Sequence, residues 1–190
     1  MIYKTIKSEH LHEEIGFHRP DDLHKQQITL DAPAINVMTD LKRVSLVTTG
    51  LRESIDTAHE KMRNRGVRML VVINGHDAIV GIITARDILG EKPVKFATEN
   101  NVKHGDITVK DIMNSQIEVF SIAEIAKAKV GDVVHTLKEV HRQHGIVVDN
   151  QGPNNEKTVR GIISLSQIAR QLGKKVDALD IKEMVNVILS

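Results

Sequence analysis

Apolar positions along this chain follow two rhythms, and the same succession of rhythms occurs twice. A short β-branched stretch, Arg43 to Thr48, precedes Ile55, Ala58 and Met62 at helical spacing, and then the near-continuous apolar run Met69 to Ile73. The succession returns as Ile117 to Ile122, then Val130, Val133, Val134, Leu137 and Val140, then Ile146 to Val148. Apolar residues three and four apart predict an amphipathic helix, whereas short β-branched stretches and unbroken apolar runs predict strands, the latter covered on both faces. Gly75 and Gly152 punctuate a turn after each run, and Ile79 to Thr84 and Val159 to Ser164 supply return strands. Asp87 to Leu89 and Gln167 to Leu172 begin closing helices. Each copy reads β-α-β-β-α, and the predicted class is α+β.

Direct superposition of the chain on itself sharpens this. A shift of 75 residues places Val37-Met38 on Ile112-Met113, Ile55 on Val130, Met62 on Leu137 and Val71-Val72-Ile73-Asn74 on Ile146-Val147-Val148-Asp149. The second copy then carries five extra loop residues, and at a shift of 80 Gly81-Ile82-Ile83-Thr84 matches Gly161-Ile162-Ile163-Ser164. An internal repeat of this length is two copies of one supersecondary unit packed together.

Composition narrows the chemistry. Lys and Arg total 26 against 25 Asp and Glu, a formal charge of +1, so an anion site has to be local. Cysteine is absent, which excludes disulfide scaffolds, thiol nucleophiles and Cys-ligated metal centres and fits a cytoplasmic location. Tyr3, Phe17, Phe96 and Phe120 are the only aromatics, too few for a base-stacking platform, so nucleic acid is not an expected partner. No apolar run approaches the roughly 20 residues of a membrane helix, and residues 1–7 lack the order of a secretion signal. No G-x-S-x-G elbow or G-x-x-x-x-G-K-[ST] loop occurs, so a non-enzyme is expected.

Three segments carry a resemblance: Val37-Met38-Thr39 leading the first copy, Gly66-Val67-Arg68 before its second strand, and Gly81-Ile82-Ile83-Thr84-Ala85-Arg86-Asp87-Ile88 at its end. Each unit resembles a CBS domain, and the tandem resembles a CBS pair, or Bateman module. The resemblance implies two units related by a pseudo-twofold axis, at 35–100 and 101–173, with an N-terminal extension, 1–34, and a C-terminal helix, 174–190. It also implies a stand-alone regulatory protein, a homodimer, that binds an adenosine-containing nucleotide between the units and signals to an unknown effector. No cofactor is required beyond that regulatory ligand.

For the first cleft the resemblance implies Ile82, Thr84, Arg86 and Asp87 from one unit, with Ile117 and Ile122 around the adenine and Gln143 and His144 near its edge or the phosphate. The chemistry is consistent. Backbone N–H groups after Thr84 and its hydroxyl can donate to a phosphate, the Asp87 carboxylate can accept both ribose hydroxyls, and Arg86 can pair with phosphate. The plainer reading is that Thr84 caps a helix, Asp87 complements its dipole, and Ile117 and Ile122 are core. The second cleft should hold Lys42, Val47, Arg68, Met69, Ile162, Ser164, Ser166 and Gln167. Gln167 stands where Asp87 would and lacks its charge, so this site is expected to be weaker.

His10, His12, His18 and His24 gather before the repeat with loose spacing, and no metal site is expected from them. Residues 1–33 show no periodicity, although Ile28 to Leu30 can add an edge strand. Val176, Leu179, Met184, Val185 and Ile188 form an apolar stripe that either docks on its own module or makes a dimer seam. Two rivals stand beside the nucleotide sensor: a constitutive interaction module that binds no nucleotide, and a metal- or nucleic-acid-binding accessory protein.

Overall fold

The structure, a computed structural model, describes residues 28–150, 157–176 and 179–190. In the first unit β2 (Thr48–Gly50), α1 (Ile55–Arg65), β3 (Met69–Ile73), β4 (Ile79–Thr84) and α2 (Ala85–Leu89) follow β1 (Thr39–Asp40). Then come α3 (Lys92–Asn100) and α4 (Val109–Ile112). The second unit has β5 (Glu118–Ser121), α5 (Ile122–Ile125), α6 (Val130–Glu139), β6 (His144–Asp149), β7 (Thr158–Ser164) and α7 (Leu165–Gln171), and α8 (Ile181–Leu189) ends the chain.

The helices form where the spacing predicts them. Ser54 Oγ accepts the Thr57 N–H at the start of α1, and Gly66 ends it at φ 63°, a left-handed conformation that suits glycine. Ile55, Ala58 and Met62 face inward from α1, and Val130, Val133, Val134 and Leu137 do so from α6. The sheets repeat as well: β2 pairs parallel with β3 and β3 antiparallel with β4, while β5, β6 and β7 do the same, with a register shift at Val72/Ile73 and again at Val147/Val148. Val71 and Ile82 of one sheet pack with Ile162 of the other, joining the units through their strands.

Packing does not follow chain order. The 3-10 turn Ala34–Val37 and Met38, which lead the first unit, lie in the core of the second, with β1 antiparallel to β7. Conversely, Val109 and Ile112 of α4 lie in the core of the first unit, and Asn114 exchanges backbone hydrogen bonds with Ile82 at 2.8 and 2.9 Å. Gly81 and Gly161 make room for these crossings. A Cβ on Gly81 would stand 2.9 Å from the Asn114 carbonyl oxygen, and one on Gly161 would stand 2.9 Å from the Thr39 carbonyl oxygen. Arg160 ties the second crossing with a two-point ion pair to Asp40, one arm at 2.9 Å.

Several expectations need correction. The first strand lies at Thr48–Gly50 instead of Arg43–Thr48, because the Asp40 carbonyl accepts the N–H groups of Arg43 and Val44 and holds that stretch in a turn. The strand expected at Ile117–Ile122 ends at Ser121, whose hydroxyl accepts the Ala123 N–H and starts α5. Ile28 to Leu30 is not an edge strand. The Leu30 and Ala32 carbonyls instead accept the Gly131 and Val130 N–H groups, satisfying free donors at the start of α6. Helix α3 was not expected. The C-terminal stripe docks on its own module, with Met184, Val185 and Ile188 buried in the second unit's core.

Candidate functional site

Two cavities open between the units, on either side of a wall made by Thr84, Arg86, Gln143 and His144. The first, about 820 Å³, collects the end of β4 and start of α2 from one unit with the start of β6 from the other. Ile82, Thr84, Arg86, Asp87, Gln143 and His144 all line it. Ile117 and Ile122 do not. Ile117 packs with Val71, Ile82 and Ile162 where the sheets meet, and Ile122, the first residue of α5, packs on the second unit's core. The apolar lining comes from Ile82 and Ile181, and side-chain amides from Asn114, Gln116 and Gln143.

Both local readings of Thr84 and Asp87 meet in one geometry. Thr84 N–H and Thr84 Oγ1 donate to Asp87 Oδ2 at 2.9 and 2.6 Å, and Asp87 N–H donates to Thr84 Oγ1 at 3.2 Å. This is a complete capping box, so the Thr84 hydroxyl and an amide expected to face a phosphate are engaged in capping the start of α2. Asp87 Oδ1 accepts from Lys92 Nζ at 2.5 Å, and the same ammonium reaches the Ile112 carbonyl at 3.3 Å. Arg86 Nη1 donates to the Leu179 carbonyl at 2.6 Å, tying the site to the segment before α8.

The second unit supplies further cations. Arg142 Nη2 donates to Gln116 Oε1 and Nη1 to the His141 carbonyl, while Arg142 Nε is buried with no hydrogen-bond partner among the described residues. His141 has φ 52°, the left-handed conformation that Gly66 takes at the matching position of the first unit. A histidine there accepts strain that glycine avoids, of order 1–2 kcal/mol, and it places an imidazole at the cavity. Burial holds the His144 imidazole down at about 4, against the opposing pull of the Asp87 charge. Lys92, Arg142, His141, Asn114, Gln116 and Lys182 were missed from sequence.

The second cavity, about 480 Å³, is more apolar, with Leu41, Val44, Leu46, Val47, Met69 and Ile162 among its walls. Of the residues expected here, Val47, Arg68, Met69, Ile162, Ser164, Ser166 and Gln167 line it, and Lys42 does not. The Lys42 N–H is drawn into the Asp40 turn by a 2.8 Å bond to Asp40 Oδ1. Ser164 Oγ accepts the Gln167 backbone N–H at 3.4 Å, but the Gln167 side-chain amide makes no hydrogen bond among the described residues. An amide in place of Asp87 thus leaves a half-formed cap. Among the described residues no cluster of three His, Asp or Glu side chains can hold a metal, and His10, His12, His18 and His24 lie outside them. No helix of the described residues is long and apolar enough to cross a membrane.

The CBS domain family model matches residues 34–94, the segment that ends in the Thr84–Asp87 capping box and Lys92. This unit is a CBS domain. The fold of the tandem is shared with solved structures, two of them of CBS domains: a conserved protein of Pyrococcus horikoshii is 21% identical, with a TM-score of 0.54 over 80% of this chain and 99% of that one. A conserved CBS domain protein of Thermoplasma acidophilum is 21% identical, with a TM-score of 0.51 over 80% of this chain and 75% of that one. The CBS domain of a bacterial CNNM/CorC-family Mg²⁺ transporter, solved with an inhibitor, is 20% identical, with a TM-score of 0.54 over 82% of this chain and 85% of that one. No curated protein matches by sequence. At these identities the likeness is one of fold: a pair of CBS units packed strand to strand.

Proposed function

We propose that this CBS pair is a regulatory module that binds an adenosine-containing nucleotide between its units and passes its occupancy to an effector protein. The observation that carries the reading is the 820 Å³ cavity in which Thr84, Arg86 and Asp87 of one unit face Gln143 and His144 of the other. Its size falls within the range of small-molecule sites, and it pairs a carboxylate suited to a diol with cations suited to phosphate. The transporter CBS domain that takes an inhibitor supports the idea that this fold can hold a small molecule. Occupancy becomes a signal if the ligand binds two arrangements of the units unequally, since only differential affinity shifts an equilibrium. The reading includes a homodimer and a cytoplasmic location, the former measurable by sedimentation equilibrium.

The second cavity favours a companion reading in which the flat faces of a base lie between Val47, Met69 and Ile162 while Arg68 and Arg170 border it. Both readings meet the same test: thermal unfolding with AMP, ADP, ATP, NAD, S-adenosylmethionine and guanosine controls. A ligand at one hundred times its Kd adds about 2.7 kcal/mol, or roughly 5–10 °C for a chain of this size. A selective shift with an adenosine compound is expected. No shift with any of them would replace the sensor by a constitutive interaction module.

A further inference from the structure

The Asp87 carboxylate is already occupied by a cation, and the source of that cation separates the two units. Lys92 is the first residue of α3, which begins three residues after α2 in the first unit, whereas at the matching position after α7 the chain turns at Leu172-Gly173 and α8 begins only at Ile181. Its ammonium is half-exposed and sits on Asp87 Oδ1, a carboxylate that is only 17% exposed. A ligand hydroxyl that approaches Oδ1 must displace this ammonium or share the oxygen with it. Displacement without a new anion leaves the ammonium without its charged partner at the mouth of the cleft, and sharing weakens both bonds.

The surroundings favour an anion as the second partner. Arg142, Arg86 and Lys182 join Lys92 on the lining, against Asp87, Glu91 and Asp180. Asp180 is engaged, its Oδ1 accepting the Glu183 N–H at 2.8 Å to cap α8. Arg142 Nε lies buried without a hydrogen-bond partner among the described residues, a donor that an incoming oxygen can satisfy.

We propose that Lys92 is the specificity-determining residue of the Asp87 cavity, admitting adenosine compounds that carry a phosphate and disfavouring neutral or cationic ones. The inference rests on the nucleotide reading above and deepens it. The phosphate takes over Lys92 as the ribose takes over Asp87, so the ion pair is exchanged for two charge-assisted contacts. A nucleoside offers only the first half of that exchange, and a sulfonium compound adds a like charge to the cluster.

Calorimetric titration of the full chain with adenosine, AMP and S-adenosylmethionine tests this, in the wild type and in Lys92→Met and Lys92→Arg. AMP is expected to bind at least about tenfold tighter than adenosine or S-adenosylmethionine. Lys92→Met should compress the AMP-to-adenosine ratio to less than about threefold, weakening AMP while freeing Asp87 for adenosine, and Lys92→Arg should keep most of it. Adenosine binding within about threefold of AMP in the wild type would overturn the inference and leave the nucleotide reading standing. A ratio unchanged in Lys92→Met would remove the role from this residue. No heat with any of the three compounds would overturn the inference, and no thermal shift with ADP, ATP or NAD besides would overturn both. The half-exposed position of Lys92 means each variant should fold, and circular dichroism checks that it does.

Discussion

The two cavities descend from one repeat yet have diverged in opposite directions. The first is roomy, charged and lined by amides, with Asp87 held by a capping box and by Lys92. The second is smaller and carries more aliphatic side chains beside its arginines, with a neutral Gln167 whose side-chain amide makes no hydrogen bond among the described residues. Position for position, His144 stands where the first unit has Met69, and Gln116 where it has Leu41. Duplication supplies two equivalent clefts, and a few substitutions at matching positions decide that one is suited to a diol and an anion and the other to an apolar surface. Which of the two is the stronger site therefore turns on charge in one and on burial of apolar area in the other.

Removing the carboxylate is the sharpest way to break this comparison. Asp87→Ala deletes a charged acceptor, worth about 1.5–3 kcal/mol per bond, so affinity for the best ligand of the panel should fall between about tenfold and a hundredfold by calorimetry. Part of the cap goes with it, costing about 1 kcal/mol of stability. Gln167→Ala should change affinity by less than about threefold. Equal losses would mean that the charge difference does not separate the sites.

The fold was legible where the physics is local. Unbroken runs such as Met69 to Ile73, and Ile55, Ala58 and Met62 at helical spacing, marked both units because strand and helix burial each leave their own period. The crossing of the leading segments was not legible. Matching Val37-Met38 to Ile112-Met113 shows that the two segments are equivalent, but not which unit each one packs on. The cavity splits similarly. Thr84, Arg86 and Asp87 sit where a strand passes into a recognisable cap, whereas Lys92 comes from a helix that buries Pro93 and packs Phe96 and Ala97 on the first unit's core, and Arg142 and Lys182 arrive by tertiary packing. Ile122 was misplaced because a β-branched residue at a strand's end looks the same whether the strand continues or, as Ser121 dictates here, turns into a helix.

The crossings offer a way to disturb each cavity alone. Asn114 lines the first cavity and lies over Gly81, and Thr39 lines the second and lies over Gly161. A methyl on either glycine meets a backbone carbonyl at 2.9 Å, which cannot yield as a flexible side chain would. Gly81→Ala and Gly161→Ala should each cost about 1–3 kcal/mol, measured by urea unfolding. Beyond that shared loss, Gly81→Ala should weaken a ligand held by the Asp87 cavity while Gly161→Ala leaves its affinity within about twofold. Matching losses of affinity would show that the wall shared by the cavities transmits any disturbance across it.

The smallest expected effect concerns that wall. His144 faces both cavities and is held neutral by burial at about 4, while an unfolded chain titrates it at 6.5. The folded value is the lower one, so the stability tied to neutral His144 is complete above pH 6.5 and drains away as pH falls toward 4, where the unfolded chain binds a proton that the folded one refuses. Asp40 and Glu53 contribute in a different window. The Arg160 hydrogen bonds pull Asp40 below 3.8, and at Glu53 bonds from Lys61, the Gly50 N–H and Thr49 outweigh the upward push of burial and hold it below 4.5, so both matter only in stronger acid. Between pH 6.5 and 5.5 the wild type should lose about 2–4 °C of Tm, at most about 1 kcal/mol, and His144→Met, which copies the Met69 position, should flatten that slope. A phosphate ligand should oppose the loss, because an anion beside His144 favours its charged form and moves its titration back toward 6.5. An identical slope with and without ligand would show that a phosphate held on Lys92 lies too far from His144 to move its titration.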